Sequence, residues 1–305
     1  MLFVHLRLIM SQVRILIIII LSCVFGFTES IAQIISIDTT NNISRSSGDD
    51  MAAEWSLDGN KLIYQSNRNG NWDIFLYDIT LDTTIQLTYN SANEQNPQWH
   101  PSGNQIIYDS DKDADQFLYL LNLESGTTSS LFDRKIICKQ ASLAPDGRLV
   151  YFLGFDEQNE NWELFSYHFI YDNLNRLTDY KNNGLFLDLS PDGKKVLYAY
   201  STYPYPYKRL QILNWYGDVL EEFDNFNIAD ASWHPDGLKI YFISDKDQLG
   251  GELYSIWKDE THLQRLTDDE FKLRDVCLSP DGKTIACSVF INGNFEIIII
   301  PLESF

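Results

Sequence analysis

The sequence predicts an all-β fold, a six-bladed β-propeller in which each blade has four strands. A turn glycine recurs along the chain at a nearly constant spacing. Each repeat contains short segments in which apolar and polar residues alternate, and the repeats take up nearly all of the 305 residues. A period near 45 residues built from short strands is typical of propeller blades.

The turn glycine defines the repeat. Successive glycines are separated by 44, 44, 46, 44 and 45 residues, and they are Gly59, Gly103, Gly147, Gly193, Gly237 and Gly282. In four of the six turns the glycine follows a proline and an aspartate. Proline presets φ, aspartate accepts a hydrogen bond from the following backbone, and glycine adopts the left-handed conformation without strain. The motif therefore predicts a tight hairpin in each repeat.

Each repeat supplies four strands, which we label a to d. Strand a precedes the turn and strand b follows it. Strand c alternates in character, as at Trp72, Ile74 and Leu76, and the short strand d ends in a Leu-Thr pair, as at Leu87 and Thr88. This alternation of aromatic and branched residues fits a sheet that is packed between two neighbours.

The last repeat ends after its strand c, so its strand d must come from elsewhere. Residues 35–44 align without gaps with residues 79–88, which contain strand d of the first repeat. We therefore expect the segment around Ile43 to complete the last blade and close the ring, which removes the exposed sheet edges. The propeller domain then comprises residues 33–305.

The N-terminus has the pattern of a targeting segment. Two arginines precede an apolar run at residues 15–27, which is too short for a comfortable membrane span, and small residues follow at Ser30 and Ala32. This predicts a cleaved signal peptide over residues 1–32 and a periplasmic or secreted protein. Lipidation of Cys23 in a partial lipobox and retention as an uncleaved anchor are the alternatives.

The chain is strongly acidic. It has 43 acidic and 23 basic residues and a formal net charge of -20, which argues strongly against nucleic-acid binding, because that role needs a positive footprint. Three cysteines remain after signal cleavage, and an odd number is not a disulfide framework. We expect Cys277 and Cys287 to be buried free thiols, with a disulfide between them as the alternative.

The repeat motif resembles that of the TolB-like, WD40-like (PD40) propeller family. It stands as Trp-Ser-Leu-Asp-Gly at residues 55–59, followed by Ser-Asn-Arg-Asn-Gly at residues 66–70, and as Trp-His-Pro-Asp-Gly at residues 233–237. The resemblance covers the whole mature chain and implies a six-bladed fold that binds partner proteins and peptides. Related propellers gate prolyl peptidases or carry pectate-type lyase activity. The family's TolB proteins have an α/β domain ahead of the propeller, and we expect none in this chain.

The candidate partner-binding residues lie where the d–a and b–c loops share one face of the disc. Strand a begins at this face and converges on the central channel, so polar residues there can surround its mouth. These candidates are Asp50, Glu94, Asn96, Asp230 and Asp275, with Gln140 at a matching repeat position. A loop outside the repeat pattern adds Tyr203, Tyr205 and Tyr207, which offer a large amphipathic contact area. Loop carboxylates that are merely solvated or cap strand ends are the competing structural interpretation.

No catalytic motif is present, neither Gly-x-Ser-x-Gly nor His-Glu-x-x-His nor a P-loop. We therefore predict a monomeric, non-enzymatic scaffold for a protein or peptide partner in the cell envelope, with no cofactor. The alternative is a carbohydrate-binding or lyase-like propeller that uses a channel-bound cation, with Asp230, Asp275 and Glu94 as weak metal candidates. Calcium is a further possibility at the alternating carboxylates of residues 109–115. We expect His100 and His234 to be structural.

Overall fold

The computed structural model describes residues 34–132, 136–179, 183–202, 208–224, 226–247, 250–268 and 271–302. The predicted signal peptide, Cys23, and the loop tyrosines Tyr203, Tyr205 and Tyr207 lie outside these residues. The described part of the chain folds as consecutive antiparallel sheets, with one 3-10 turn at Thr39–Asn41.

The first three blades each have four strands. Blade 1 consists of β1 (Asp50–Trp55), β2 (Lys61–Ser66), β3 (Asp73–Asp78) and β4 (Thr83–Gln86). Blade 2 consists of β5 (Glu94–Trp99), β6 (Gln105–Ser110), β7 (Phe117–Asn122) and β8 (Thr128–Ser130). Blade 3 consists of β9 (Cys138–Leu143), β10 (Leu149–Asp156), β11 (Asn161–His168) and β12 (Asn173–Arg176).

The last three blades follow the same order. Blade 4 consists of β13 (Asn183–Leu189), β14 (Lys195–Ser201), β15 (Lys208–Asn214) and β16 (Val219–Phe223). Blade 5 consists of β17 (Ile228–Trp233), β18 (Lys239–Ser244), β19 (Glu252–Trp257) and β20 (Gln264–Arg265). Blade 6 consists of β21 (Lys272–Leu278), β22 (Thr284–Ile291) and β23 (Asn294–Pro301). The predicted six-bladed all-β fold is confirmed.

Aromatic residues in strand b form much of the core between blades. Each is almost fully buried, and they are Tyr64, Tyr108, Phe152, Tyr198 and Phe242. Several stack on an aromatic residue of strand c in their own blade, as Tyr64 does on Phe75 with ring centroids 5.9 Å apart. Because burial of apolar area stabilises by roughly 25 cal/mol per Å², this repeated layer contributes to the packing of each blade against the next.

The N-terminal segment reaches blade 6 through a bridge and not through a regular fourth strand. Asn42 pairs with Ile298 as an isolated antiparallel bridge, and the Ile43 N–H donates to the Ile297 carbonyl at 3.0 Å. Ser44 Oγ donates to Glu296 Oε2 at 2.6 Å. Thr88, which aligns with Ser44, makes the equivalent bond to Asp73 in blade 1. The segment thus makes the contacts of a strand d over a shorter length than β4 does.

Among the residues that the structure describes, no helix has the length and apolar character needed to cross a membrane.

Candidate functional site

The six strands a surround a central channel. Neighbouring first strands touch around the ring, as β1 touches β5 and β21. A cavity of about 110 Å³ lies between them and is lined by residues from all six blades. Because every blade contributes its innermost strand, residues far apart in sequence meet here.

Each strand a is irregular near this cavity. The pairing with strand b shifts register in every blade, and three residues at the irregular point have left-handed φ values of 48° to 52°: Ala52, Asn96 and Gln140. None of the three is glycine, so this backbone carries a cost that the surroundings must offset. The irregularity gives the backbone N–H of each residue a partner in a neighbouring blade.

Side chains of one blade accept hydrogen bonds from these N–H groups of the next blade. Ala52 N donates to Asp275 Oδ2 at 2.8 Å, and Gln140 N donates to Asp109 Oδ1 at 2.9 Å. Asn96 N donates to a neutral acceptor, Gln65 Oε1, at 2.8 Å. These bonds link blade 6 to blade 1, blade 2 to blade 3 and blade 1 to blade 2.

Two further carboxylates make similar inter-blade bonds. Asp188 Oδ2 accepts from Trp233 N at 3.0 Å, and Asp230 Oδ2 accepts from Val276 N at 2.8 Å. Asp188, Asp230 and Asp275 therefore each use one carboxylate oxygen to join two blades while they line the channel. The same three side chains therefore hold neighbouring blades together and are available to a ligand in the channel.

The channel concentrates ionisable carboxyl groups. Four of its described lining residues carry carboxyl groups: Glu54, Asp188, Asp230 and Asp275. Burial raises the pKa of Glu54 to about 8, with a further contribution from Asp188, and burial raises the pKa of Asp188 to about 6. Burial and then repulsion by Asp275 raise the pKa of Asp230 well above its usual range. The lining therefore favours a bound cationic group or bound protons.

A thiol is part of this cluster. Cys277 Sγ donates to Glu54 Oε2 at 3.2 Å, and burial followed by the nearby Glu54 carboxyl raises the pKa of the Cys277 thiol well above its usual range. Cys277 is therefore a protonated donor and not a nucleophilic thiolate. The expectation of free thiols is confirmed, since Cys138, Cys277 and Cys287 are all unbonded.

The structure separates the predicted site residues into two groups. Asn96, Gln140, Asp230 and Asp275 line the channel together, as expected for strand-a residues. Asp50 and Glu94 do not line it, and both are fully buried, each between the d–a loop and strand b. The expectation that these two carboxylates stand at the channel mouth was therefore wrong, since both are buried in contacts between blades. Their part in partner binding stays a prediction.

The weak metal candidates do not come together. Asp230 and Asp275 share the channel, whereas Glu94 contacts Asn90 and Ser110 elsewhere. Within the described ranges, no group of three or more His, Cys, Asp or Glu side chains is arranged to hold a metal ion.

The alternating carboxylates of residues 109–115 also face different partners. Asp109 binds the amide of Asn96 at 2.6 Å, and burial raises its pKa to about 7. Asp111 accepts from Asn93, and Asp113 accepts from the Tyr119 hydroxyl. The three side chains thus serve separate hydrogen bonds.

Glu54 and Asp188 were missed by the sequence reasoning. They occupy the same repeat position, five residues before the turn glycine, and the other blades have Gln98, Ser142, Ser232 and Cys277 there. Only the beginning of strand a was expected at the channel. The register shift in strand a brings this later position to the lining as well. A comparison of polar residues at each repeat position could have found them.

The two histidines before the turns lie on the opposite rim. His100 Nδ1 contacts Ser102, and His234 Nδ1 lies 3.0 Å from Asp236 Oδ2, so each replaces the serine that makes the turn bond in other blades. The His100 ring packs beside Gly147 and the His234 ring beside Gly282, in each case the turn of another blade. Burial lowers the pKa of His100. Both have structural contacts.

This chain matches one family of known proteins. The model of the TolB beta propeller domain matches residues 24–228, which is more than half of the chain. No curated protein sequence matches significantly.

Solved structures of similar fold include TolB proteins and an oligogalacturonate lyase. TolB from Acinetobacter baumannii has a TM-score of 0.61 and 18% identity over 85% of this chain, which spans only 64% of that protein's length. A putative TolB from Agrobacterium tumefaciens has a TM-score of 0.65 and 16% identity, with 86% of this chain and 93% of that one covered. An oligogalacturonate lyase in complex with manganese has a TM-score of 0.62 and 10% identity, with 89% and 97% covered. At these identities the likeness shows the fold alone.

Proposed function

The chain belongs to the TolB β-propeller domain family, and on that premise we propose that it is an exported scaffold that binds a protein or peptide at the channel mouth. The observation that carries this proposal is the acidic channel lining, in which carboxyl groups from blades 1, 4, 5 and 6 share one cavity. The surrounding d–a and b–c loops supply the rest of the contact area, with the loop of Tyr203, Tyr205 and Tyr207 as a further candidate.

The charge of the lining favours a basic partner. Asp230 and Asp275 repel each other in a buried site, and a lysine, arginine or terminal ammonium group at the mouth would relieve that repulsion. The net charge of -20 adds a long-range attraction that speeds the encounter with a basic surface. The partner proposed here is therefore a segment of a cell-envelope protein that presents a cationic side chain.

Site-specific photocrosslinking tests the proposal. Phe186 lines the channel, so p-benzoylphenylalanine at this position keeps an aromatic ring where one already stands. Leu57 is exposed on the turn rim at the other end of strand a and is the matched control position. Irradiation in intact cells should give a discrete adduct from position 186 and none from position 57.

A charge variant then shows whether the carboxylates carry the interaction. Asp230→Asn keeps the shape and an oxygen that can accept from Val276, so the fold should be retained. The adduct from position 186 should weaken in this background. No adduct at position 186, or equal adducts at both positions, would contradict the channel as the binding site.

Export has its own test. Intact-mass measurement and cell fractionation should give a periplasmic or secreted protein that begins at Gln33. A mass that corresponds to a lipidated Cys23 would replace simple cleavage by membrane anchoring. An unprocessed cytoplasmic protein would contradict export.

The alternative is a carbohydrate-binding or lyase-like propeller, which rests on the fold shared with the oligogalacturonate lyase. An acidic channel repels a polyuronate unless a cation lies between them, which makes this candidate the weaker one. Incubation with oligogalacturonate and Mn²⁺ decides, because β-elimination creates an ultraviolet-absorbing unsaturated product. Formation of that product by the protein, and not by the Asp230→Asn variant, would favour the enzyme.

A further inference from the structure

Two neighbouring blade interfaces use the same repeat positions with different residues. The interface of blades 6 and 1 contains the d–a segment at residues 44–48, and the interface of blades 1 and 2 contains its equivalent at residues 88–92, 44 positions later. Asp50 and Glu94 are equivalent residues at the start of strand a, and each is 0% exposed. The two interfaces can therefore be compared residue by residue.

At the interface of blades 6 and 1, the buried carboxylate has a cation of its own. Arg68 Nη2 lies 2.9 Å from Asp50 Oδ1 and donates to the Tyr64 hydroxyl at 3.0 Å. The guanidinium carbon also lies 4.4 Å from the centroid of the Phe75 ring. The planar guanidinium thus contacts a carboxylate, a hydroxyl group and an aromatic face at the same time.

A second arginine covers the same interface. Arg45 Nη1 lies 3.3 Å from Asp82 Oδ1, and Asp82 in turn accepts from the Tyr77 hydroxyl at 2.8 Å. The interface therefore has one largely buried arginine and one exposed arginine, each with an acidic partner.

At the interface of blades 1 and 2, the buried carboxylate is only half satisfied. Glu94 Oε1 accepts from Asn90 Nδ2 at 2.7 Å and from Ser110 Oγ at 3.0 Å. Glu94 Oε2 is buried and has no hydrogen-bond partner of normal geometry in the described ranges. Burial raises the pKa of this carboxyl, and the nearby Asn90, Ser110 and Thr88 side chains oppose that rise. Lys112 stands where blade 1 has Arg68, and its Nζ lies 3.5 Å from the centroid of the Tyr119 ring.

The other members of the arginine arrangement are also replaced. Tyr89, Leu121 and Gly126 occupy the positions of Arg45, Tyr77 and Asp82, and all three line a cleft of about 850 Å³ between the blades. Tyr89 is 76% exposed. Lys112 and Asn90, which donates to Glu94, also line the cleft. Glu94 itself is not a lining residue of the cleft and lies beside it through its bond with Asn90. The interface thus keeps the buried acid of its twin but has neither of the two arginines.

We propose that this cleft binds an arginine side chain of a partner protein, with Glu94 as its anion and the exposed Tyr89 ring as a surface for stacking. Arginine fits better than lysine because its planar fork can reach the carboxylate and lie on an aromatic face at once. The burial of Glu94 does not prevent this, because Asp50 is equally buried and is reached by Arg68, whose side chain is itself 18% exposed. The site is independent of the channel.

Amide chemical shifts of the cleft residues Ala114 and Gly126 provide the readout. The probes are N-acetyl-L-arginine amide, its neutral isostere N-acetyl-L-citrulline amide, and free L-arginine. The blocked arginine should shift both amides in a saturable way, and citrulline should not. Equal shifts with citrulline, or binding of free L-arginine but not of the blocked form, would overturn the proposal.

Three variants locate the site. Glu94→Gln keeps Oε1 for Asn90 and Ser110 and should weaken binding of the blocked arginine at least about tenfold. Lys112→Arg recreates the internal arginine of blade 1 and should weaken it similarly by occupying the carboxylate. The channel variant Asp230→Asn should bind as the wild type does. Undiminished binding in both cleft variants, with melting temperatures within a few degrees of wild type, would overturn the assignment.

Discussion

The two ends of strand a differ in how closely they follow the repeat. At the turn rim, the same contacts recur: Ser56 donates to Asp58, Ser190 to Asp192 and Ser279 to Asp281, each at 2.6 or 2.7 Å. All six turn glycines have φ between 67° and 75°. The turns therefore share one backbone conformation, which is set by residues within each turn.

At the channel end, no such uniformity exists. The position seven residues before the turn glycine is occupied by Ala52, Asn96, Gln140, Phe186, Asp230 and Asp275. The acceptors that join one blade to the next also change from blade to blade. The comparison teaches that the turn rim specifies the fold, whereas the channel end gives each blade its own chemistry.

The largest expected effect comes from removing an inter-blade acceptor. Asp275→Ala leaves the Ala52 N–H and the Ser288 hydroxyl without the oxygen to which they donate at 2.8 and 2.9 Å. We expect the free energy of unfolding to fall by about 3 kcal/mol, partly offset by relief of repulsion on Asp230. Urea denaturation measures this, and a loss below about 1 kcal/mol would show that the bond between blades 6 and 1 is dispensable.

The next effect depends on pH. Burial raises the pKa of Glu54 to about 8 from its ordinary value of 4.5, so the folded state binds more protons than the unfolded state between these values. Stability must therefore fall as pH rises through this window, because the folded protein has to ionise a carboxyl group that burial disfavours.

Glu54→Gln removes that ionisation. We expect the variant to gain on the order of 2 kcal/mol relative to wild type at pH 8 and little at pH 5. Thermal unfolding across this pH range measures the difference. A constant difference between the two proteins would mean that Glu54 does not titrate in the channel.

A turn-rim substitution should have a smaller effect. Gly59 has φ +70°, and a Cβ added there would meet only Pro280 Cδ, at 3.8 Å. Gly59→Ala should therefore cost only the conformational penalty of about 1 kcal/mol. Chemical denaturation measures this cost, and crosslinking at position 186 should be unchanged. A loss of crosslinking would show that the turn rim also affects binding at the channel end.

The smallest effect is expected from the exposed turn acid. Asp281 accepts from Ser279 Oγ and from Lys283 N at 3.0 Å, and these bonds lower its pKa. Asp281→Ala should reduce stability by only about 0.5 kcal/mol because the freed donors can bond to water. A destabilisation as large as that of Asp275→Ala would show that the two ends do not differ.

The difference between the turn rim and the channel end also explains which features could be predicted from the sequence. The turn glycines and the strand-b aromatics follow a fixed period, so blade number and strand order could be predicted from local rules. The register shift in β1 that precedes Glu54 is accompanied by a hydrogen bond from Ala52 N to Asp275 of the neighbouring blade, a contact that no local pattern contains. The burial of Glu94 likewise depends on contacts with a loop and a strand that only the assembled interface brings together.

The contact between Ser44 and Glu296 has a consequence for how the molecule forms. It joins residues 252 positions apart, whereas most other blade contacts link neighbours in the chain. Closing such a long loop has a large entropic cost, and the contact stabilises the protein only after the intervening blades have formed. We therefore expect this seam to be the last part of the ring to form during folding and the first to open under tension.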